Sequence, residues 1–357
     1  MRYNTLSYVF VTNFGTILNS SPNGILYHAY PEEITPNIIC DQNGKINGSL
    51  KLLDEPLHVR SLAGGSHYSI SSNKGYLCSD IGGAIGWRQH CLALEQFRIL
   101  PIQEVYKNIP YKNFIFPIKP QKFSISHIIH QTYDDNEIPE IFQKNVETLQ
   151  TRNPTWKYMY WNSKNRHDFI YDFFGWEMLD AYLKINPRYG AARADFFRYL
   201  CIYQLGGVYL DLKSNCEFAL DNIIRPDDQY LLSHWHNKRG ESAEGCGLGP
   251  EVESVPEGEY QQWHIIAAAG HPFLMYVIKN VLARIHRYSE SFYGNGKLGV
   301  LRVTGPYAYT MAIYPHINEF SHRFFDYEKS GLIYSTIGDH TKVFKRHYSQ
   351  ETSPLIL

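Results

Sequence analysis

The chain has 357 residues, of which 19% are charged, and a formal net charge of −1, so it lacks the basic field that nucleic-acid binding requires. No apolar stretch approaches the ~20 residues of a membrane span, and the first residues, MRYNTLSYVF, lack the charged leader and apolar core of a signal peptide. The six cysteines form no C-x-x-C pair, which favours reduced thiols and a cytoplasmic protein without a transmembrane segment.

The first 105 residues predict an all-β domain. Short apolar runs such as YVFVTN and HYSIS alternate with Gly, Asn and Ser turns, without a long helical pattern. The segment GYLCSDIGGAIGWRQHCLALEQFRIL, residues 75–100, resembles a repeat unit of fascin-like β-trefoil domains. That resemblance implies a glycan-binding module for residues 1–105, while a purely structural packing role stays equally open. Residues 106–123 hold three prolines and are predicted to link this domain to residues 124–357.

The next segment predicts the beginning of a parallel βαβ unit. HIIHQTYDD, starting at His127, predicts a strand and its loop, an amphipathic helix follows from Pro139, and a second strand spans Lys157–Trp161. This order favours an α/β fold with a mostly parallel sheet flanked by helices. Asn162, directly after the second strand, is predicted to cap the next helix.

Residues 191–213, AARADFFRYLCIYQLGGVYLDLK, predict a binding site. The pattern is a helix, a two-glycine stop and a buried strand that ends at Asp211. Asp195 and Arg198 lie three positions apart and therefore share one face of the helix. Because ligands of open α/β sheets bind beyond the carboxyl ends of the strands, we expect Asp211 at the same site. The alternative for the helix pair is a surface ion pair, worth ~0.3–0.5 kcal/mol.

The same segment resembles the DXD-motif region of the retaining glycosyltransferases, which include Och-type mannosyltransferases, capsular polysaccharide transferases and, more distantly, clostridial glucosylating toxins. The resemblance implies a GT-A, Rossmann-like fold and a nucleotide-sugar donor. It implies that Asp195 and Arg198 hold the donor's ribose and diphosphate and that Tyr209 packs beside the phosphates. Asp211 would hold ribose and a divalent metal, Mn²⁺ or Mg²⁺. The chain departs from the family at one position, where Lys213 replaces the second acidic residue of the motif.

Lys213 leaves three roles open, since an ammonium group cannot bind a metal ion as a carboxylate does. It supplies positive charge to the diphosphate, as a catalytic group beside Asp195, Arg198 and Asp211. Alternatively, Asp211 keeps a weaker metal site with the help of a carboxyl-terminal ligand, for which His347 is the candidate, with His340 behind it. The third alternative is that Lys213 extends past the strand end into solvent.

Flanking segments extend the resemblance over roughly residues 124–350 and add candidates for donor binding. The segment with His130, Gln131 and Thr132 resembles the family's first strand and loop near the nucleotide, and Gln262 takes about the place of a family Asn near the transferred sugar. Thr304 and Gly305 open a helix, where free amides suit an anion or a sugar hydroxyl. Structural roles are the alternatives: a hydrogen bond within the fold for His130, and a helix cap for Thr304 and Gly305.

The predicted function is a retaining glycosyltransferase that moves a sugar from a UDP-sugar or GDP-mannose to a glycan or other hydroxyl acceptor, in polysaccharide or glycan synthesis. Two alternatives stay open. A degenerate transferase would bind glycans or nucleotide sugars without transfer, and a donor hydrolase would use water as the acceptor. Peripheral association with a membrane also stays open, and no nucleic-acid partner is expected.

Overall fold

The protein is described from a computed structural model, which covers residues 7–21, 24–31, 34–46, 56–62, 65–80, 83–107, 116–253, 255–337 and 351–357. By its internal contacts the chain divides into two units, residues 1–114 with 287–294 and residues 115–286 with 295–357. All six cysteines are free thiols. In the part of the chain that is described, no helix combines the length and the apolar character needed to cross a membrane.

The first unit is a β-sheet region, as its alternating short runs predict. The elements are Tyr8–Val11 (β1), Ile17–Ser20 (β2), Leu26–Ala29 (β3), His58–Ser61 (β4), Tyr68–Ser72 (β5), Gly75–Ser79 (β6), Ile85–Arg88 (β7), Gln96–Pro101 (β8) and the helix Ile102–Lys107 (α1). The described strands pair antiparallel in the order β3-β2-β1-β8-β5-β6-β7, with β4 on β5, and Phe10, Leu18 and Phe97 belong to the core. The β-trefoil resemblance is not confirmed by this order and stays a prediction.

The second unit alternates helices and strands, as an α/β fold requires. In chain order, the elements that follow α1 are Ile128–Thr132 (β9), Glu140–Arg152 (α2), Lys157–Trp161 (β10), Ser163–Phe174 (α3), Trp176–Lys184 (α4), Gly190–Leu205 (α5), Gly207–Leu210 (β11), Asn215–Cys216 (β12), Tyr230–Leu232 (β13), His264–Ala267 (β14), Pro272–His286 (α6), Glu290–Tyr293 (α7, part of the first unit), Gly296–Val303 (α8), Pro306–Ile313 (α9), Arg323–Phe324 (β15) and Leu332–Ile333 (β16). Short 3-10 helices span Leu220–Asn222, Pro250–Val252 and Tyr314–His316.

Within the described residues, six strands form the main sheet of this unit in the order β10-β9-β11-β14-β13-β15. β14 pairs antiparallel with both of its neighbours, and the remaining pairs are parallel. The sheet is therefore mixed: five strands share one direction and β14 reverses it, so the expected parallel arrangement is present in part. The reversal arises because the connection between β13 and β14 begins and ends at the same end of the strands. The next strand therefore runs antiparallel to β13.

Local patterns predict the elements around the site correctly. Helix α2 begins after Pro139, and the Asn162 side chain accepts a hydrogen bond from the Asn165 amide, 2.8 Å away, as the cap of α3. Helix α5 is buried on nearly every side and ends at Leu205, and its C-cap Gly206 has a φ of +68°. Strand β11 then carries the chain to Asp211 at the edge where β9 also ends.

Candidate functional site

Asp195, Arg198 and Asp211 meet at the carboxyl end of β11. Nη2 of Arg198 lies 3.1 Å from Oδ1 of Asp195 and 3.0 Å from Oδ1 of Asp211. The side chains of Asp195 and Arg198 are each 5% exposed, whereas that of Asp211 is 24% exposed. The surface ion-pair alternative is therefore wrong, because the packing of α5 encloses the pair. Asp211 is the carboxylate that faces outward.

The guanidinium of Arg198 is held almost entirely by the protein. Its Nη1 donates to the carbonyl oxygen of Gln262, 2.6 Å away, and the Tyr209 ring centroid lies 4.5 Å from its central carbon. Burial opposes the charge on this group, but Tyr209, Asp211 and Asp195 together raise its pKa above the ordinary value. Arg198 thus stays a cation and fixes the orientation of Asp211.

Asp195 is enclosed by hydrogen-bond donors. Its Oδ1 accepts from Nε2 of Gln262 at 3.0 Å and its Oδ2 from Oγ1 of Thr304 at 3.1 Å. Tyr199 in turn donates to the carbonyl of Thr304 at 2.8 Å. Burial raises the pKa of Asp195 to about 6, against the lowering effect of Arg198 and these donors. The structure therefore brings Gln262 and Thr304 to the site, where both side chains support Asp195.

The backbone around Asp211 is fixed from two sides. Its amide donates to the carbonyl of Trp263 at 2.9 Å, and its own carbonyl accepts from Nε2 of Gln131 at 3.0 Å. Gly305 is the N-cap of α9, and its amide donates to the carbonyl of Val300 at 2.7 Å. The Gln131 side chain thus contacts the main chain of Asp211. Gly305 has the helix-cap role that was its structural alternative.

His130 and Thr132 lie inside the fold behind this edge. Nε2 of His130 donates to the carbonyl of Gly206 at 3.0 Å, and Nδ1 accepts from the indole of Trp161 at 3.2 Å. Burial lowers the pKa of His130 to about 4, so its ring is neutral at pH 7. Thr132 donates to the carbonyl of Trp161 at 2.6 Å. Both have structural partners, and donor contacts by either side chain stay predictions.

Lys213 does not extend freely into solvent. Its Nζ donates to the hydroxyl of Tyr334 at 2.9 Å and lies 4.1 Å from the centroid of that ring. The Tyr334 ring packs edge-on against Trp235 and Trp263, with centroids 5.1 and 5.5 Å apart. Burial lowers the pKa of Lys213, while nearby Asp211 raises it and Arg198 lowers it. The sequence carries no signal for this aromatic support, because Tyr334 follows Lys213 by 121 residues.

The described residues do not fit a divalent cation held by the protein. The predicted second ligand, His347, and His340 lie outside the described residues. Among those that are described, no group of three or more His, Cys, Asp and Glu side chains is arranged to bind a metal ion. Oδ1 of Asp211 is already engaged by Arg198, and Lys213 occupies the sequence position of the motif's second carboxylate. Mg²⁺ at phosphate sites is usually held by one or two carboxylates together with substrate phosphates, and the motif here offers a single carboxylate, Asp211, one oxygen of which contacts Arg198.

Comparison with known proteins identifies the region that contains these residues. Residues 139–230 match the family described as the glycosyltransferase sugar-binding region containing the DXD motif. The predicted family resemblance is confirmed. The matched region includes Asp195, Arg198, Tyr209, Asp211 and Lys213.

Several fungal proteins are similar to this chain. Inositol phosphoceramide mannosyltransferase 3 of Schizosaccharomyces pombe is 28% identical over 210 residues, which are 58% of this chain and 48% of that protein. Mannosyl phosphorylinositol ceramide synthase SUR1 of Saccharomyces cerevisiae is 37% identical over 108 residues, 30% of this chain and 27% of that protein. The initiation-specific alpha-1,6-mannosyltransferase of Candida albicans is 23% identical over 209 residues, 52% of this chain and 50% of that protein. The chain thus spans about half or less of the length of these relatives.

Among solved structures, the chain is similar to the PaToxG glycosyltransferase. The TM-score is 0.38 and the sequence identity 14%, over 56% of this chain and 72% of that one.

Proposed function

We propose that the second unit is a retaining glycosyltransferase that transfers a sugar from a nucleotide-sugar donor to a glycan or other hydroxyl acceptor. The observation that carries this proposal is the outward-facing carboxylate of Asp211, held at the strand end by the buried pair of Asp195 and Arg198. The family match over residues 139–230 supports it, and the relatives named as mannosyltransferases favour a hexose as the transferred sugar. The cytoplasmic location stays a prediction.

The reaction we propose breaks the bond between the anomeric carbon and the diphosphate oxygen. Negative charge grows on the departing diphosphate, so cations fixed at the site favour the transition state. The acceptor hydroxyl attacks the anomeric carbon on the face from which the diphosphate leaves, and its proton passes to the departing phosphate oxygen. Asp211 accepts hydrogen bonds from ribose or sugar hydroxyls, which charge assistance strengthens. Arg198 acts as a positioning residue, because three of its five N–H donors already bind Asp195, Asp211 and the Gln262 carbonyl.

The proposal is tested by incubating the full chain with UDP- and GDP-hexoses and a panel of glycan acceptors, with release of nucleoside diphosphate and transfer of sugar both measured. We expect Asp211→Asn to lower turnover by about a hundredfold, comparable to the loss of one preorganised hydrogen-bonding group of an active site. Its thermal midpoint should stay close to that of the natural protein, because the replacement is isosteric and the side chain is partly exposed. Asp172→Asn, which changes an exposed carboxylate on α3, is the matched control and should leave turnover unchanged.

Other outcomes discriminate against the alternatives. Binding of a nucleotide sugar without any turnover would contradict the transferase and favour a binding module. Release of nucleoside diphosphate that no acceptor accelerates, and that yields free sugar, would favour donor hydrolysis instead.

A further inference from the structure

The ammonium group of Lys213 lies at the carboxyl end of β11, and within the described part of the chain two of its three N–H groups have no acceptor. An ammonium has three donors, and the hydroxyl of Tyr334 accepts one. Among the described residues, Lys213 makes no salt bridge. Asp211 attracts this half-buried cation without direct contact, and an anionic ligand would supply a direct partner. Lys213 also follows Asp211 by only two residues, at the same end of β11.

The positive charge of Lys213 equals the net charge of a carboxylate together with a bound divalent cation. A carboxylate that binds a divalent cation contributes, together with that cation, one positive charge. A lysine contributes one positive charge by itself. Replacing the second acid of the motif by Lys213 therefore keeps the local charge that a donor diphosphate would meet.

The aromatic support fixes where this charge lies. Nζ is placed over the Tyr334 ring, and Trp235 and Trp263 hold that ring edge-on. The backbone is tied as well: the Thr336 amide donates to the Lys213 carbonyl at 2.9 Å, and β12 pairs antiparallel with β16. A lysine stem is ordinarily flexible, so this support lowers the entropy lost when the ammonium binds an anion.

We propose that this site binds the diphosphate of its donor without a divalent cation, and that Lys213 contacts the diphosphate oxygens in the place of the metal. The inference rests on the function proposed above and makes Lys213 a residue of the binding site itself. Tyr334 then acts as a positioning residue for Lys213. Asp211 remains engaged with Arg198 and contacts hydroxyl groups of the donor.

Isothermal titration of the full chain with UDP and with GDP tests this inference, first in EDTA and then with Mn²⁺ or Mg²⁺ in excess. We expect at least one of the two nucleotides to bind equally well under both conditions. Lys213→Met should lower that affinity by about ten- to a hundredfold, as expected for losing a charge-assisted hydrogen bond. Lys213→Asp, which restores the acidic pair, should bind only when the metal is present. Lys144→Met, an exposed lysine of α2, is the matched control and should bind as the natural protein does.

Thermal midpoints report whether each variant folds, and Lys213→Arg, which keeps the charge, guards against a folding artefact because it should retain metal-free binding. Loss of binding in EDTA by the natural protein, or unchanged binding by a folded Lys213→Met variant, would overturn the inference while leaving the transferase proposal intact. Failure of both nucleotides to bind under every condition would contradict the transferase proposal and this inference with it.

Discussion

Glu259 is a buried carboxyl group beside the aromatic support of Lys213. Its side chain accepts a hydrogen bond from the indole of Trp235, 2.8 Å away, and the residue is 8% exposed. Burial raises the pKa of Glu259 to about 7, although the Trp235 hydrogen bond and the charge of Lys297 on α8 lower it. Near neutral pH the folded protein therefore holds a proton here that the unfolded chain has already released.

This predicts that Glu259 makes stability depend on pH. Because the pKa is raised on folding, the favourable contribution is present below the ordinary value of 4.5 and is lost as the pH rises through about 7. Glu259→Gln keeps an acceptor for Trp235 and cannot ionise. We expect this variant to exceed the free energy of unfolding of the natural protein by less than about 1 kcal/mol at pH 5 and by up to about 3 kcal/mol at pH 8.

Urea unfolding followed by tryptophan fluorescence at the two pH values measures this difference. Glu253→Gln is the control, because Glu253 is an exposed carboxylate in the same segment between β13 and β14. It should not raise the free energy of unfolding at either pH. An equal effect of Glu259→Gln at pH 5 and pH 8 would show that the carboxyl group does not titrate in this range.

At the scale of single residues, helical spacing predicts that Asp195 and Arg198 share a face, and the structure confirms it. Spacing does not predict that the pair is buried, since burial depends on the other elements that pack around α5. It also does not predict that Tyr334 supports Lys213. Such contacts join positions far apart in the chain, and no local sequence pattern predicts them.

The turn between α5 and β11 is the element that brings the helix pair to Asp211. Gly206 and Gly207 both have positive φ, +68° and +104°. A Cβ atom on Gly207 would lie 2.4 Å from the carbonyl oxygen of Ile128, in the neighbouring strand β9. A backbone atom of a paired strand cannot move aside easily, so both conformation and space require glycine here.

We therefore expect Gly207→Ala to lower the free energy of unfolding by at least about 3 kcal/mol, from strained backbone and a steric clash together. Gly240→Ala is the matched control, because Gly240 has φ of +85° but no atom within 4 Å of an added Cβ. Backbone strain alone should cost that variant about 1–2 kcal/mol. Chemical denaturation of the two proteins compares the values, and equal losses would mean that the clash with β9 is relieved.

Local patterns predict α2, β10, α5 and β11 because periodicity, prolines and glycines mark these segments directly. They do not predict the reversed strand β14. Its apolar run fits a buried strand of either direction, and the direction follows from the path of residues 233–263. The mixed sheet is therefore a property of the connection rather than of the strand's own residues.

At the scale of the whole molecule, the first unit combines segments that lie far apart in the sequence. The sequence predicts residues 1–105 as one domain, residues 106–123 as a linker and residues 124–357 as the other, and these limits stay predictions. The contacts add residues 287–294 to the first unit. Phe292 packs there against Phe14, His28 and Tyr30, with ring centroids 5.2–5.4 Å away. Ring contacts between positions separated by more than half the chain produce no periodic sequence pattern, so the sequence could not predict them.

Residues 287–294 should therefore stabilise the first unit specifically. Phe292 is 3% exposed, and truncating such a buried ring costs about 3–5 kcal/mol. We expect Phe292→Ala to increase amide hydrogen exchange in peptides from β1, β2 and β3, while peptides from α5 and β11 exchange as before, because stability is local to each unit. Mass spectrometry of the full chain measures both sets in one experiment. Phe218→Ala, which removes a half-exposed ring of the second unit, should leave β1 to β3 unchanged. If Phe292→Ala did the same, residues 287–294 would not be part of the first unit's core.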